Sequence, residues 1–178
     1  EAMPQVQFVD SDKAGWYRIT LDGECKVEAA DEDGAYYAKV TLDNLKRNAG
    51  GNQLPNLVIE DWPDFGYRGF MLDISRNFTT KDNILKFIDL LAHYKVSVFH
   101  LHFGDDEGWR LEIEKFPELT SFGAYHAFPS KDENGKYIET EGLIPSYNGG
   151  ADPKDMTSSA NGHLSKEDYV EILKYAWE

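Results

Sequence analysis

Cysteine is nearly missing from this chain. Cys25 stands alone among 178 residues, so no intrachain disulfide can form and no cysteine-based zinc site can be built. In Glu24-Cys25-Lys26-Val27 it reads as a small apolar side chain in a strand. No run approaches the roughly 20 apolar residues of a membrane span. Positive charge is scarce: 18 Lys and Arg oppose 32 Asp and Glu, for a net charge of -14. No basic cluster relieves that balance, which argues against nucleic acid as a partner, since phosphate binding needs a positive surface. The acidity reads first as surface charge that keeps the protein dispersed, and second as a cation or sugar site. No signal peptide is visible. The chain opens on Glu1 instead of Met, which reads as an excised or processed piece. Internal repeats are absent.

A hydrophobic content of 41% with 13% aromatics is enough for a packed core, in one domain or two small ones. Trp16–Leu21 and Glu24–Ala29 are β-rich runs separated by Asp22-Gly23, which predicts a hairpin. The acids before Ala35 suit a helix N-terminus, and Tyr37, Val40, Thr41, Leu42 and Leu45 fit a helical stripe that ends at Asn48–Asn52. Leu57–Glu60 reads as one more strand, which makes this first part α+β. Asp61-Trp62-Pro63-Asp64-Phe65-Gly66 is the predicted boundary, with domains over 1–63 and 64–178.

Beyond it the pattern becomes β/α. Phe70–Ile74 reads as a strand, and Thr79 or Thr80 as the cap of a helix with Asp82 at capping-box spacing. Ile84, Phe87, Ile88 and Leu91 form that helix's core-facing stripe. Val96–Phe103 is a nearly continuous apolar run, expected as a strand buried on both faces in a parallel sheet. Glu112–Leu119 suggests a short helix broken at Pro117. Residues 124–161 form a long polar stretch of the kind that serves function or motion. Ser165 and Asp168 cap a last helix in which Tyr169, Ile172, Leu173 and Ala176 share a face. Two parallel strands alone leave edges unpaired and helices half covered, so 64–178 is expected to be the opening of a larger barrel or open sheet.

The chemistry gathers where the two strands end. His100 and His102, two apart on a strand, project to one side. With Asp105 and Asp106 they resemble ligands of a metal-dependent barrel hydrolase; a plainer role, as polar residues bonded to carboxylates, is preferred because a histidine pair is a weak signal. Asp105 and Asp106 sit just past a strand's C-terminal end, where barrel enzymes place working residues. Acid–base work, hydrogen bonding to sugar hydroxyls and helix-capping turn chemistry all fit them. Arg76 holds the equivalent place after the preceding strand; its planar fork suits vicinal hydroxyls or a carboxylate, or a salt bridge to Asp73 or Asp105.

Taken together, Tyr67-Arg68-Gly69, Met71-Leu72-Asp73, Ser75-Arg76, Val98-Phe99-His100-Leu101-His102, Asp105-Asp106-Glu107-Gly108-Trp109-Arg110 and Phe116-Pro117-Glu118-Leu119 closely resemble glycoside hydrolase family 20, the β-N-acetylhexosaminidases. Upstream, Gly34-Ala35-Tyr36-Tyr37 and Leu57–Asp61 look like the end of the small α+β domain that precedes that family's barrel. Leu164–Tyr169 resembles its second barrel helix. The likeness implies an incomplete (β/α)8 TIM barrel, its first two βα units, preceded by part of an α+β domain. It implies removal of terminal N-acetylglucosamine or N-acetylgalactosamine from glycans, without a cofactor, by retaining catalysis that the substrate's own acetamido group assists. Arg76 would bind hydroxyls of the terminal sugar and Asp105 would belong to the hydrogen-bonded shell, with His102, Asp106 and Trp109 in support. An extracytoplasmic setting (periplasmic, secreted or lysosomal-type) follows from the same likeness. Asn77 departs from the histidine usual there, and Glu107 stands where glutamine is commoner.

The family's catalytic Asp-Glu pair lies on a later strand. Asp105-Asp106 and Asp106-Glu107 match a different motif, and Asp31-Glu32 lies in the other domain, so the pair is expected beyond Glu178 and the 178 residues alone are expected to be inactive. A non-catalytic carbohydrate-binding fragment and a metal-dependent hydrolase using His100 and His102 are the rival readings.

Overall fold

The computed structural model describes residues 4–127, 131–136, 144–145 and 160–177. The chain divides into two compact units: Glu1–Arg68 with Ala92–Ser97, and Gly69–Leu91 with Val98–Glu178.

The first unit is a four-stranded sheet with a helix on one face. Strands β1 (Val6–Phe8), β2 (Tyr17–Asp22), β3 (Glu24–Ala29) and β4 (Leu57–Asp61) lie in the order β1-β3-β2-β4. The predicted hairpin is β2–β3, turning at Gly23 with φ of 73°, a conformation that favours glycine. Strand β1, too short to signal itself in the sequence, runs parallel to β3. Helix α1 (Glu32–Ala49) is capped by Asp31, whose carboxylate accepts from Gly34 N at 2.8 Å and from Gly15 N at 2.8 Å. It ends at Gly50 in the left-handed conformation, one of the two glycines that the sequence offered as a stop. A side chain at Gly34 would put its Cβ 2.3 Å from the Trp16 carbonyl, so glycine lets the helix meet the strand entry. Tyr17, Ile19, Val27, Ala29, Tyr37, Ala38 and Leu42 form the core, with Cys25 partly buried at its border.

Polar bonds bring Ala92–Ser97 into this unit. The Tyr17 hydroxyl donates to Asp61 Oδ2 (2.9 Å), accepts from Lys95 Nζ (2.8 Å) and lies 2.7 Å from Thr41 Oγ1. Lys95 is in the left-handed region, with φ of 56°, and its carbonyl accepts from Arg68 Nε at 2.9 Å. Arg68 also donates to the Tyr37 hydroxyl at 2.6 Å.

In the second unit β5 (Gly69–Asp73) and β6 (Val98–His102) pair in parallel, in register from Gly69↔Val98 to Asp73↔His102. Helix α2 (Lys81–His93) follows β5; the Thr80 carbonyl accepts from Asn83 and Ile84 N–H. Phe70, Leu72, Phe99 and Leu101 alternate onto the helix side, while Met71, Asp73, His100 and His102 take the other. The core gathers Ile74, Ile84, Leu111, Leu164 and Ile172. The expectation that the Val96–Phe103 strand is buried on both faces fails: His100 and Met71 are exposed, because the side away from α2 carries no covering element among the described residues.

After β6 the chain makes a tight hairpin, β7 (Gly104–Asp105) with β8 (Gly108–Trp109), turning on Asp106-Glu107. These acids thus occupy a β-turn and cap no helix. The helix expected over 112–119 is also displaced. Helix α3 (Glu118–Ser121) begins after Pro117, since proline disfavours helical backbone in the residue before it and suits a helix start. Strands β9 (His126–Ala127) and β10 (Ile144–Pro145) pair in parallel within the long polar stretch, most of which lies outside the described residues. Helix α4 (Lys166–Trp177) carries the predicted capping box: Ser165 Oγ accepts from Asp168 N at 3.0 Å and Asp168 Oδ2 from Ser165 N at 3.2 Å. Of its predicted face, Ile172 is buried and Tyr169 partly so, whereas Leu173 and Ala176 are exposed.

Candidate functional site

The C-terminal ends of β5 and β6 stand side by side, because Asp73 is in register with His102. Just past β5 the chain turns on the Asp73 side chain: Oδ1 accepts from Ser75 N at 2.9 Å and from Arg76 N at 3.2 Å. That turn brings Arg76 back over its own strand, where Nη1 pairs with Asp73 Oδ2. Nη2 reaches the neighbouring strand end, 2.8 Å from Asp105 Oδ2. His102 Nε2 lies 2.8 Å from the same oxygen. The other Asp105 oxygen accepts from Asp106 N at 2.8 Å. Of the predicted site residues, Arg76, His102, Asp105 and Asp106 therefore come together in one cluster, with Asp73 as an added member. The sequence offered Asp73 only as a salt-bridge partner; the Asp-X-Ser-Arg spacing of a side-chain turn was the missed signal.

Trp109 is placed differently. Its ring meets Phe103 edge-on at 5.5 Å between centroids, its Nε1 donates to the Leu111 carbonyl, and it packs against the apolar core. Gly104 faces that ring, where a Cβ would come within 2.7 Å.

The electrostatics follow from these contacts. Hydrogen bonds from the Asp106 backbone and from His102, with the Arg76 charge nearby, pull the Asp105 carboxyl down to about 2. Asp106 is raised, chiefly through sharing a hydrogen bond with anionic Asp105. Arg76 is raised by its bond to Asp73 and by the charges of Asp105 and Glu107. The cluster is thus a fixed guanidinium between carboxylates near neutral pH, open to solvent at roughly one third exposure or less for each of Asp73, Arg76, His102 and Asp105. His100 is exposed, its ring 6.1 Å from that of His102. Among the described residues no three His, Cys, Asp or Glu side chains converge to hold a metal ion, so the geometry gives the His100/His102 metal reading no third ligand. No described helix is long and apolar enough to cross a membrane.

The family model described as the catalytic domain of glycosyl hydrolase family 20 matches residues 65–178, and the model of that family's domain 2 matches residues 5–62. The chain belongs to glycosyl hydrolase family 20. The N,N'-diacetylchitobiase of Vibrio harveyi is 42% identical over 165 residues, covering 92% of this chain and 18% of the relative. A β-hexosaminidase of Vibrio vulnificus is 35% identical over 167 residues, with 93% and 18% covered. The chain therefore spans about a fifth of the length of these curated relatives. Among solved structures, a family 20 exo-β-N-acetylglucosaminidase of Vibrio harveyi in complex with N-acetylglucosamine aligns with a TM-score of 0.73 at 29% identity, over 97% of this chain and 25% of that one. A second β-N-acetylhexosaminidase aligns with a TM-score of 0.74 at 25% identity, over 97% of this chain and 33% of that one.

One charged side chain of the second unit is fully withdrawn from solvent. Arg110 is fully buried, and burial lowers its pKa to about 10. In the sequence Arg110 stands out only as the last residue of the Asp105–Arg110 block.

Proposed function

We propose that this chain is part of a β-N-acetylhexosaminidase, that its second unit is the start of a (β/α)8 barrel with β5–α2 as the first βα unit and β6–α4 as the second, and that residues 1–63 end the preceding α+β domain. The whole protein, in this reading, removes terminal N-acetylglucosamine or N-acetylgalactosamine from glycans outside the cytoplasm by substrate-assisted retaining hydrolysis. Arg76 and Asp105 form one wall of the sugar site. His102 and Asp106 hold Asp105 anionic and oriented, and Trp109 supports the hairpin from the core side. The adjacent Asp-Glu pair that completes the reaction is assigned to the part of the protein outside these residues.

The carrying observation is the Arg76–Asp105 pair, built from adjacent parallel strand ends inside the span that matches the family's catalytic domain. Ligands gather at that end of α/β strands. The test uses the whole protein and a chromogenic N-acetyl-β-glucosaminide. Turnover is expected, and Arg76→Ala should lower kcat/KM by about 10- to 100-fold, the value of losing a charge-assisted pair of hydrogen bonds. The 178-residue polypeptide alone should show none. Turnover by that polypeptide, or an Arg76→Ala enzyme as active as the parent, would refute the assignment.

A further inference from the structure

We propose that Arg110 is the positioning residue of Arg76, fixing the peptide from which the Arg76 side chain springs. This rests on the reading of Arg76 as a sugar-binding group.

A guanidinium taken out of water keeps its charge only where its donors are satisfied. Arg110 meets that demand through main-chain carbonyls. Nε donates to Ile74 O at 3.1 Å and to Ser75 O at 3.1 Å; Nη2 donates to Ser75 O at 2.9 Å. Nη1 donates to Gly162 O at 3.1 Å and to Ala124 O. Nη2 also meets His126 Nε2, which must accept and is therefore the unprotonated nitrogen of a neutral ring. Burial and the Arg110 charge both lower the His126 pKa, in keeping with that state.

The carbonyl that receives two of these bonds belongs to the Ser75–Arg76 peptide. The N–H of the same peptide donates to Asp73 Oδ1 at 3.2 Å. Ser75 is itself buried, and its hydroxyl donates to Gly108 O at 2.7 Å. Gly108 permits the approach: a Cβ there would lie 3.0 Å from Ser75 O and 3.1 Å from Arg110 Nη2. Both edges of one peptide plane are therefore held, by Arg110 on the carbonyl side and Asp73 on the amide side. The Cα–Cβ direction of Arg76 follows from that plane. Bidentate recognition by a planar fork depends on such pre-orientation, and a misplacement of about 1 Å can cost about 100-fold in rate. Lysine at 110 would keep the charge, but one ammonium cannot reach carbonyls spread around a planar fork.

The test is a double-mutant cycle in the whole protein, reading kcat/KM on the chromogenic N-acetyl-β-glucosaminide alongside the thermal midpoint. Arg110→Lys should lower kcat/KM about tenfold, mainly through KM, and Arg76→Ala should lower it by its own amount. The double variant should match Arg76→Ala, because a group that acts through Arg76 has nothing left to position. Independent, multiplying losses would overturn the proposal while leaving Arg76 as a sugar-binding group. An Arg76→Ala enzyme unchanged from the parent would overturn both. Should Arg110→Lys fail to fold, Ser75→Ala loosens the same peptide more gently. A loss of a few-fold that vanishes in the Arg76→Ala background supports the clamp, and one that persists there overturns it.

Discussion

Replacing Tyr17 with phenylalanine isolates one hydroxyl in the first unit. The ring is fully buried and its volume is unchanged, so no cavity forms. What is lost is an oxygen with its valence filled: it donates to Asp61, accepts from Lys95 and meets Thr41. Hydrogen bonds to charged groups contribute about 1.5–3 kcal/mol each when both ends are dry. Here Asp61 is 52% exposed and Lys95 26% exposed, and the two remain 3.3 Å apart, so water and mutual pairing recover much of the loss. The expected cost is about 1–2 kcal/mol. For a domain of this size each kcal/mol lowers Tm by about 4–8 °C, readable by circular dichroism on the 178-residue chain. Tyr17→Ala adds an emptied aromatic site and should cost about 3–5 kcal/mol, by analogy with other aromatic truncations. A Tyr17→Phe protein within about 0.3 kcal/mol of the parent would show that the Lys95–Asp61 pair holds Ala92–Ser97 without the hydroxyl. One as unstable as Tyr17→Ala would show that the partners are stranded out of water's reach.

Asp105 supplies a pH prediction. Its folded pKa, about 2, lies below its ordinary 3.8, so its contribution to stability is fully present above about pH 4 and is lost as pH falls toward 2. Asp105→Asn should therefore cost stability at pH 7, and thermal melts should show the gap to the parent closing across that acid window; a gap that stays constant down to pH 2 would contradict the assignment. Ser165→Ala removes one half of the α4 capping box and should cost about 1 kcal/mol in urea unfolding at pH 7. A larger loss from Ser165→Gly than from Ser165→Ala would argue against the cap, since glycine is tolerated at that position.

Features that depend on local pattern were readable from the chain. The β2–β3 hairpin followed from Asp22-Gly23, the end of α1 from the glycine-containing stretch Asn48–Asn52, and the α4 cap from the Ser165/Asp168 spacing, because each is set by a few adjacent residues. Features that depend on a partner were not. Strand β1 has three residues and exists through pairing with β3. The exposure of His100 reflects what covers a sheet face, on which an apolar run is silent. Pro117 carried a signal of either a stop or a start, and the chain uses the start. Arg110 was hidden for a related reason: its partners are carbonyls from three separate segments, and backbone carbonyls have no sequence signature. The cluster of Arg76 with Asp105 was foreseeable from two strand ends in equivalent places, whereas the turn that aims Arg76 depends on Asp73.

The charge balance of that cluster bears on what it can receive. Arg76 is one positive group facing Asp73 and Asp105, with Glu107 near enough to raise its pKa further and Asp106 beside Asp105. The carboxylates outnumber the guanidinium, so an anionic ligand would meet net repulsion, and a guanidinium already paired twice has little to offer a carboxylate. A neutral polyol meets no such barrier. Its hydroxyls can donate to Asp105 and accept from the outward N–H groups of Arg76 without disturbing either ion pair. Of the ligands that a planar fork beside a carboxylate can take, the surrounding acids favour the uncharged one. That preference is what the proposed removal of an N-acetylhexosamine requires, and it arises from the same acidic excess that reads, across the whole chain, as ordinary surface charge.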